Sequence, residues 1–177
     1  GGSATLSDVI DNNNGTYTAT ITSTVAGTVT VTAVIDSAAV ANTVDVTFTA
    51  GAASAADSTV TASLTSVAAN GTTASTITMQ AKDANDNNLT SGGLTVAMTQ
   101  GGSATLSSVT DNNNGTYTAT ITSTTAEMVT VTAAIDSAAV DNTAEVTFTA
   151  TAATVANSTV TASAASVAAN GSATSTI

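Results

Sequence analysis

Apolar residues alternate with threonine or serine along most of the chain. Residues 76–81 run Thr-Ile-Thr-Met-Gln-Ala, and residues 116–122 run Thr-Tyr-Thr-Ala-Thr-Ile-Thr. Such alternation puts apolar side chains on one face of an extended strand and polar ones on the other. The same pattern predicts further strands at 59–64, 94–99, 129–133 and 144–149, with a short strand at 104–107. About seven strands in a unit of this kind are typical of an antiparallel β-sandwich.

The segments between these strands are rich in Asn, Asp and Gly. They lie at residues 69–71, 83–88, 91–93 and 111–115. These residue types tolerate the positive φ angles that tight turns require. Sustained 3.6-residue periodicity is absent from the sequence. Residues 38–40, Ala-Ala-Val, could make one helical turn, but this stretch is short and lies between two predicted strands. We therefore predict an all-β fold.

The sequence repeats after 100 residues. Residues 11–24 return unchanged as 111–124, and 59 of the 77 overlapping positions are identical without an insertion. This period is too long for a solenoid and fits one small domain per repeat. We predict tandem Ig-like antiparallel β-sandwich domains: the C-terminal part of one repeat at 1–53, a complete repeat at 54–153, and the N-terminal part of a further repeat at 154–177. This frame suggests a segment of a longer tandem polypeptide.

Composition narrows the chemistry that the chain can perform. It has no Cys, His or Pro, and its 12 Asp and Glu against one Lys or Arg give a net charge of −11. Without Cys or His there is no thiol nucleophile, no Cys–His zinc site and no Ser–His pair, so we predict that the chain is not an enzyme. An acidic surface repels phosphate, which argues against nucleic acid as a partner. The apolar runs are too short to insert this segment into a membrane as a helix.

Several stretches resemble a known family. Residues 58–63, 66–78 and 81–87 are similar to the opening of a bacterial Ig-like tandem repeat of the invasin/intimin type, and residues 114–124 and 129–133 are similar to its later strands. One departure is Asn88-Leu89-Thr90, where such repeats often carry Asn-Pro-Val. The resemblance implies tandem domains outside a cell that form the rod of a surface adhesin. It brings no catalytic residues with it.

The acidic turn at 83–88 offers a weak calcium candidate, because hard cations bind clustered oxygen ligands. Its candidate ligands are Asp83, Asn85, Asp86 and Asn87. An EF-type loop needs Gly at its sixth position and an acid at its twelfth, but Asn88 and Leu94 stand there. An Asx-rich β-turn is the favoured interpretation. We expect no cofactor, with Ca²⁺ as the alternative.

Three other groups of residues have both a functional and a structural interpretation. Lys82 could form an isopeptide crosslink with an Asn, but a solvated cation beside Asp83 is favoured. The four aromatic residues are expected in the core rather than on a ligand platform, because they alternate in phase with Ala and Val. They are Tyr17, Phe48, Tyr117 and Phe148. The N-glycosylation sequon occurs at Asn14, Asn70, Asn88, Asn114, Asn157 and Asn170.

Together these features predict a non-enzymatic structural repeat of a long extracellular adhesin stalk or cell-surface filament, acting as a spacer. The expected partners are neighbouring Ig-like repeats of the same chain or of identical chains. We expect any host or surface ligand to be bound by a tip domain that this sequence does not contain. Two alternatives remain: a filament subunit joined by strand exchange, and an Ig-like binding module of a phage or virion.

Overall fold

A computed structural model of the protein describes residues 4–177. In this range the regular elements are β-strands, apart from one 3-10 turn at Val155–Asn157. No helix in the described range is long and apolar enough to cross a membrane. We refer to residues 53–149 as the central unit, to residues 4–50 as the leading segment and to residues 150–177 as the trailing segment.

The leading segment contains short strands. They are β1 (Thr5–Leu6), β2 (Ile10–Asp11), β3 (Tyr17–Thr18), β4 (Ile21–Thr22), β5 (Gly27–Val31), β6 (Val34–Ile35), β7 (Ala38–Ala39) and β8 (Val44–Phe48). The central unit contains longer ones. They are β9 (Ala53–Ala62), β10 (Ser66–Ala68), β11 (Ser75–Asp83), β12 (Val96–Gln100), β13 (Thr105–Leu106), β14 (Thr110–Asp111), β15 (Thr116–Thr122), β16 (Glu127–Ile135), β17 (Ala138–Ala139) and β18 (Ala144–Thr149).

Two five-stranded sheets form the central unit. One has the order β10-β18-β16-β12, with β17 on β16, and the other has the order β13-β15-β11-β9, with β14 on β15. The pairings are antiparallel except that of β10 with β18, where Val67 lies opposite Phe148 in parallel register. The buried faces of both sheets belong to one apolar cluster, as in a β-sandwich. The predicted all-β, Ig-like sandwich is confirmed.

The core follows the predicted alternation. The apolar residues of β11 are buried while Thr76 and Thr78 between them are only partly so. The buried apolar side chains of β11, β15, β16 and β18 are Ile77, Met79, Ala81, Tyr117, Ala119, Ile121, Val129, Val131, Ala133, Ile135, Ala144, Val146 and Phe148. Leu64 is an exception: predicted on the apolar face, it lies beyond the end of β9 at Ala62 and is 48% exposed.

Residues 38–40 do not form a helical turn. Ala38–Ala39 is strand β7, which pairs with β6 in a hairpin. The two residues between these strands, Asp36 and Ser37, both have positive φ angles, of 47° and 69°. Two consecutive positive φ angles match the twist of a two-residue hairpin. Without a glycine in that turn, the sequence pattern did not indicate a hairpin.

The strands of the leading segment pair only with one another. They form two-stranded sheets in the register of the central unit: Thr5 lies opposite Thr22, as Thr105 lies opposite Thr122. Tyr17 is 63% exposed and Tyr117 is 1% exposed.

The prediction that the aromatic residues lie in the core therefore has a mixed outcome. It is confirmed for Tyr117 and Phe148, which are buried between the two sheets. It does not hold for Tyr17, which is 63% exposed. Phe48 is half-buried.

Candidate functional site

The Asx-rich turn after β11 is the most highly connected polar feature of the central unit. Asp83 ends β11 and is 3% exposed. Its Oδ1 accepts hydrogen bonds from the backbone N–H groups of Asn85 and Asn87, each at 2.9 Å. Asp86 takes a φ of 65°, which closes the turn. A turn of this shape forms when an Asp side chain accepts hydrogen bonds from the backbone N–H groups two and four residues later. The predicted Asx-rich turn is confirmed.

The same turn contacts the leading segment. The backbone N–H of Gly51 donates to Asp83 Oδ2 at 2.7 Å. The backbone N–H of Ala26 donates to Asn87 Oδ1 at 2.8 Å, and Asn87 Nδ2 donates to the Thr24 carbonyl oxygen at 2.8 Å. We call this set of five residues the junction contact. It joins residues that are 32 to 63 positions apart in the sequence.

These hydrogen bonds stabilise the ionised carboxylate of Asp83. The backbone N–H of Gly51 and then the side-chain amide of Asn87 hold the pKa of Asp83 well below its usual range, with smaller contributions from the backbone N–H groups of Asn87 and Asn85. Burial acts in the opposite direction, but the hydrogen bonds outweigh it. The turn therefore presents a charged, fully hydrogen-bonded acceptor to the leading segment.

The four calcium candidates share this turn but differ in their surroundings. The oxygen atoms of Asp83 and Asn87 accept N–H groups, so a cation would have to displace those donors. Asp86 forms an ion pair with Lys82 at 3.1 Å, and Asn85 is exposed. Among residues 4–177, no group of three or more Asp, Glu, His or Cys side chains could hold a metal ion. Calcium binding stays a prediction.

Lys82 has a different partner from the one that the sequence suggested. Its Nζ lies 3.1 Å from Oδ1 of Asp86, four residues later in the chain. The sequence had suggested Asp83 as its neighbour. The pair lies at the surface, where such ion pairs contribute little to stability. It occupies the amino group that an isopeptide crosslink would use.

All six sequon asparagines are exposed. Four of them have the same local structure, in which the side-chain oxygen accepts the backbone N–H of the Thr or Ser two residues later. These four are Asn14, Asn70, Asn114 and Asn170. The repeated Asn-Gly-Thr/Ser triplet therefore builds a capped turn whether or not it carries a glycan. Glycosylation stays a prediction.

Sequence reasoning missed two polar contacts in the central unit. The Leu94 backbone N–H donates to Tyr117 Oη at 3.0 Å. The Glu127 carboxylate accepts the Ser103 hydroxyl at 2.6 Å and the Ser103 backbone N–H, and the hydroxyl bond is the main cause that lowers the pKa of Glu127. Glu127 corresponds to Gly27 in the leading segment, so comparison of the repeats offered no signal for it.

The comparisons with known proteins agree with this architecture. The profile of a family described as "Invasin, domain 3" matches residues 1–51 and 54–151. The chain belongs to the invasin domain 3 family. A search of curated proteins found no match.

Solved structures of adhesins resemble this invasin domain 3 chain. FdeC, an Escherichia coli adhesin, is 32% identical with a TM-score of 0.59, over 90% of this chain and 52% of that one. Invasin, a bacterial integrin-binding protein, is 34% identical with a TM-score of 0.53, over 84% of this chain and 31% of that one. InvD of Yersinia pseudotuberculosis is 29% identical with a TM-score of 0.58, over 90% and 48%. The chain thus spans about half or less of each structure's length.

These matches confirm the resemblance to adhesin repeats of the invasin type. The chain is thus a module of the kind found in invasin-type adhesins. The profile match is interrupted between residues 51 and 54, close to the start of β9 at Ala53. The domain boundaries at 53/54 and 153/154 stay a prediction.

Proposed function

We propose that this invasin domain 3 chain is a non-enzymatic spacer of an extracellular adhesin stalk. The observation that carries the proposal is that the central unit closes its own core and is joined to the repeat before it by a short link and the junction contact. The leading segment's last strand ends at Phe48, and β9 begins at Ala53. A unit with its own core, repeated at a constant period, adds length to an array without adding a new site. The adhesin relatives support this role.

The surface of the repeat suits such an array. Threonines cover the outer faces of the sheets and bond across strands, as Thr99 does with Thr132 at 2.8 Å between their hydroxyl oxygens. The chain's net charge of −11 makes copies repel one another. In this proposal the repeat holds a separate binding domain away from the cell, and its partners are neighbouring repeats.

We propose further that the repeat needs no metal. The Asp83 carboxylate already accepts its full set of N–H donors within the protein. The melting temperature is expected to be the same in about 5 mM EDTA and in about 5 mM CaCl₂. The calcium concentration is high enough to saturate even weak extracellular calcium sites. A calcium-dependent rise, lost in Asp86→Ala, would instead show a cation site on the outer side of the turn.

The length and mass of the native particle test the stalk proposal. Negative-stain microscopy should show a thin fibre, and denaturing electrophoresis should show a chain several times heavier than 16.9 kDa. A fibre made from chains close to 16.9 kDa would contradict the covalent stalk. It would support the alternative of a filament subunit joined by strand exchange.

A further inference from the structure

We propose that the junction contact is a lock that fixes each repeat onto the one before it. Asp83 and Asn87 of one repeat bind Thr24, Ala26 and Gly51 of the preceding one. We call these three residues the socket. By the 100-residue period, Thr124, Ala126 and Thr151 form the corresponding socket for the same turn of a following repeat. This inference rests on the proposed tandem stalk, and it names the surface through which neighbouring repeats meet.

Three hydrogen bonds cross the junction at two separate points. Asn87 binds the turn at Thr24 and Ala26 through both ends of its amide, as donor and as acceptor. Asp83 binds Gly51 in the link between the units. A single hydrogen bond leaves two bodies free to rotate about it, whereas bonds at two points restrict both bending and twisting. The contact therefore sets the relative orientation of the units as well as holding them together.

Asp83 also orients Asn87 for this task. Asn87 Nδ2 donates to Asp83 Oδ2 at 2.9 Å, so the amide nitrogen faces Thr24 and the amide oxygen faces Ala26. Since Asp83 is buried and the turn is held by its own backbone hydrogen bonds, little conformational freedom is lost when the contact forms. The bonds to an ionised acceptor are also stronger than bonds between neutral groups.

The residues of the socket recur in the central unit. Thr24 and Ala26 return as Thr124 and Ala126, and the link residue Gly51 returns as Thr151. A Cβ at Gly51 would lie 3.5 Å from Asp83 Oδ2, an ordinary contact, so a threonine there keeps the N–H available. Thr124, Ala126 and Thr151 line an open cleft of about 300 Å³.

Amide hydrogen exchange followed by NMR tests the lock directly. The probe is the Ala26 N–H, which donates to Asn87 Oδ1. We expect this amide to exchange about tenfold faster in Asn87→Ala than in the wild-type chain, because the substitution removes its acceptor.

Asn85→Ala is the matched control. Asn85 lies in the same turn, is exposed and takes part in it through its backbone N–H. We expect Asn85→Ala to leave the exchange of Ala26 unchanged. The amides of Ile77 and Ile121 report in each variant whether the central core is still folded, because both side chains are completely buried.

Equal exchange of the Ala26 N–H in Asn87→Ala and in the wild-type chain would overturn the lock. So would equal effects of Asn87→Ala and Asn85→Ala in chains whose core amides stay protected. These outcomes do not depend on fibre formation. If Ala26 is protected and no long fibre exists, the stalk proposal fails alone; if a fibre exists and Ala26 is unprotected, only the lock fails.

Discussion

The side chain of Tyr117 fills the space between the two sheets, and its hydroxyl satisfies a backbone group. The ring is buried, and Oη accepts the Leu94 N–H at 3.0 Å. Leu94 precedes β12 and is itself half-buried, so its N–H has limited access to water. A buried N–H without an acceptor costs free energy comparable to a lost hydrogen bond.

We expect Tyr117→Phe to lower the free energy of unfolding by about 1–2 kcal/mol, because it keeps the ring and leaves the Leu94 N–H without a partner. Tyr17→Phe is the control at the equivalent exposed position and should change it by less than about 0.5 kcal/mol. Urea unfolding followed by far-UV circular dichroism measures both. Equal effects of the two substitutions would contradict the role of the hydroxyl.

At the scale of elements, the turn before β15 lies against the segment after β11. Gly115 has a φ of +82°, its carbonyl oxygen accepts the Ala81 N–H at 2.9 Å, and a Cβ there would overlap the Leu89 carbonyl oxygen. Gln80 Nε2 donates to the carbonyl oxygens of Gly115 and Leu89, at 3.1 and 3.3 Å. The glycine thus permits both the turn and the close approach of two backbones.

Gly115→Ala should therefore destabilise the central unit strongly, by about 3 kcal/mol or more, since it combines backbone strain with a backbone clash. Gly15→Ala separates the two causes. Gly15 has nearly the same φ, +84°, but open space where the Cβ would be, so only the strain of about 1 kcal/mol applies. Thermal unfolding of the two variants beside the wild type measures the difference. A Gly115→Ala chain as stable as Gly15→Ala would show that the backbones can move apart freely.

At the scale of the whole molecule, repulsion within a chain of net charge −11 destabilises the folded state. Two of the carboxyl groups act in the opposite direction, because folding stabilises their ionised form. Hydrogen bonds lower the pKa of Asp83 and of Glu127 in the folded state. A carboxyl with a lowered folded pKa stabilises the fold fully above its unfolded pKa, near 4, and loses that contribution as the pH falls further.

The wild type should accordingly have a higher free energy of unfolding than Asp83→Asn. We expect this difference to be constant from pH 7 to about 5 and to shrink below about pH 4. The other carboxylates become protonated in the same range, but they do so in both chains and cancel in the comparison. Urea unfolding at a series of pH values measures the difference. An advantage that persists unchanged at pH 3 would show that the charge of Asp83 is not what stabilises the turn.

The strands and their buried faces could be predicted from the sequence because they depend on local order. Alternation along β11 and β15 placed Ile77, Met79, Tyr117 and Ile121 correctly, since successive side chains in any strand point to opposite faces. The Asp/Asn/Gly turns were also predictable, because positive φ angles select those residues. The hairpin at Asp36 and Ser37 was not, because neither residue marks such a turn clearly.

The sequence by itself therefore determined the repeat, the β-strands and the family resemblance, all of which are patterns between near neighbours or identical stretches. Only the tertiary structure decided what covers each face and what each polar group binds. The ring of Tyr117 is buried, and its hydroxyl oxygen accepts the Leu94 N–H, 23 positions away. Asn87 meets Thr24 across 63 positions. Burial and hydrogen bonding across the fold depend on which distant strands and turns are brought together, and a local pattern does not contain that information.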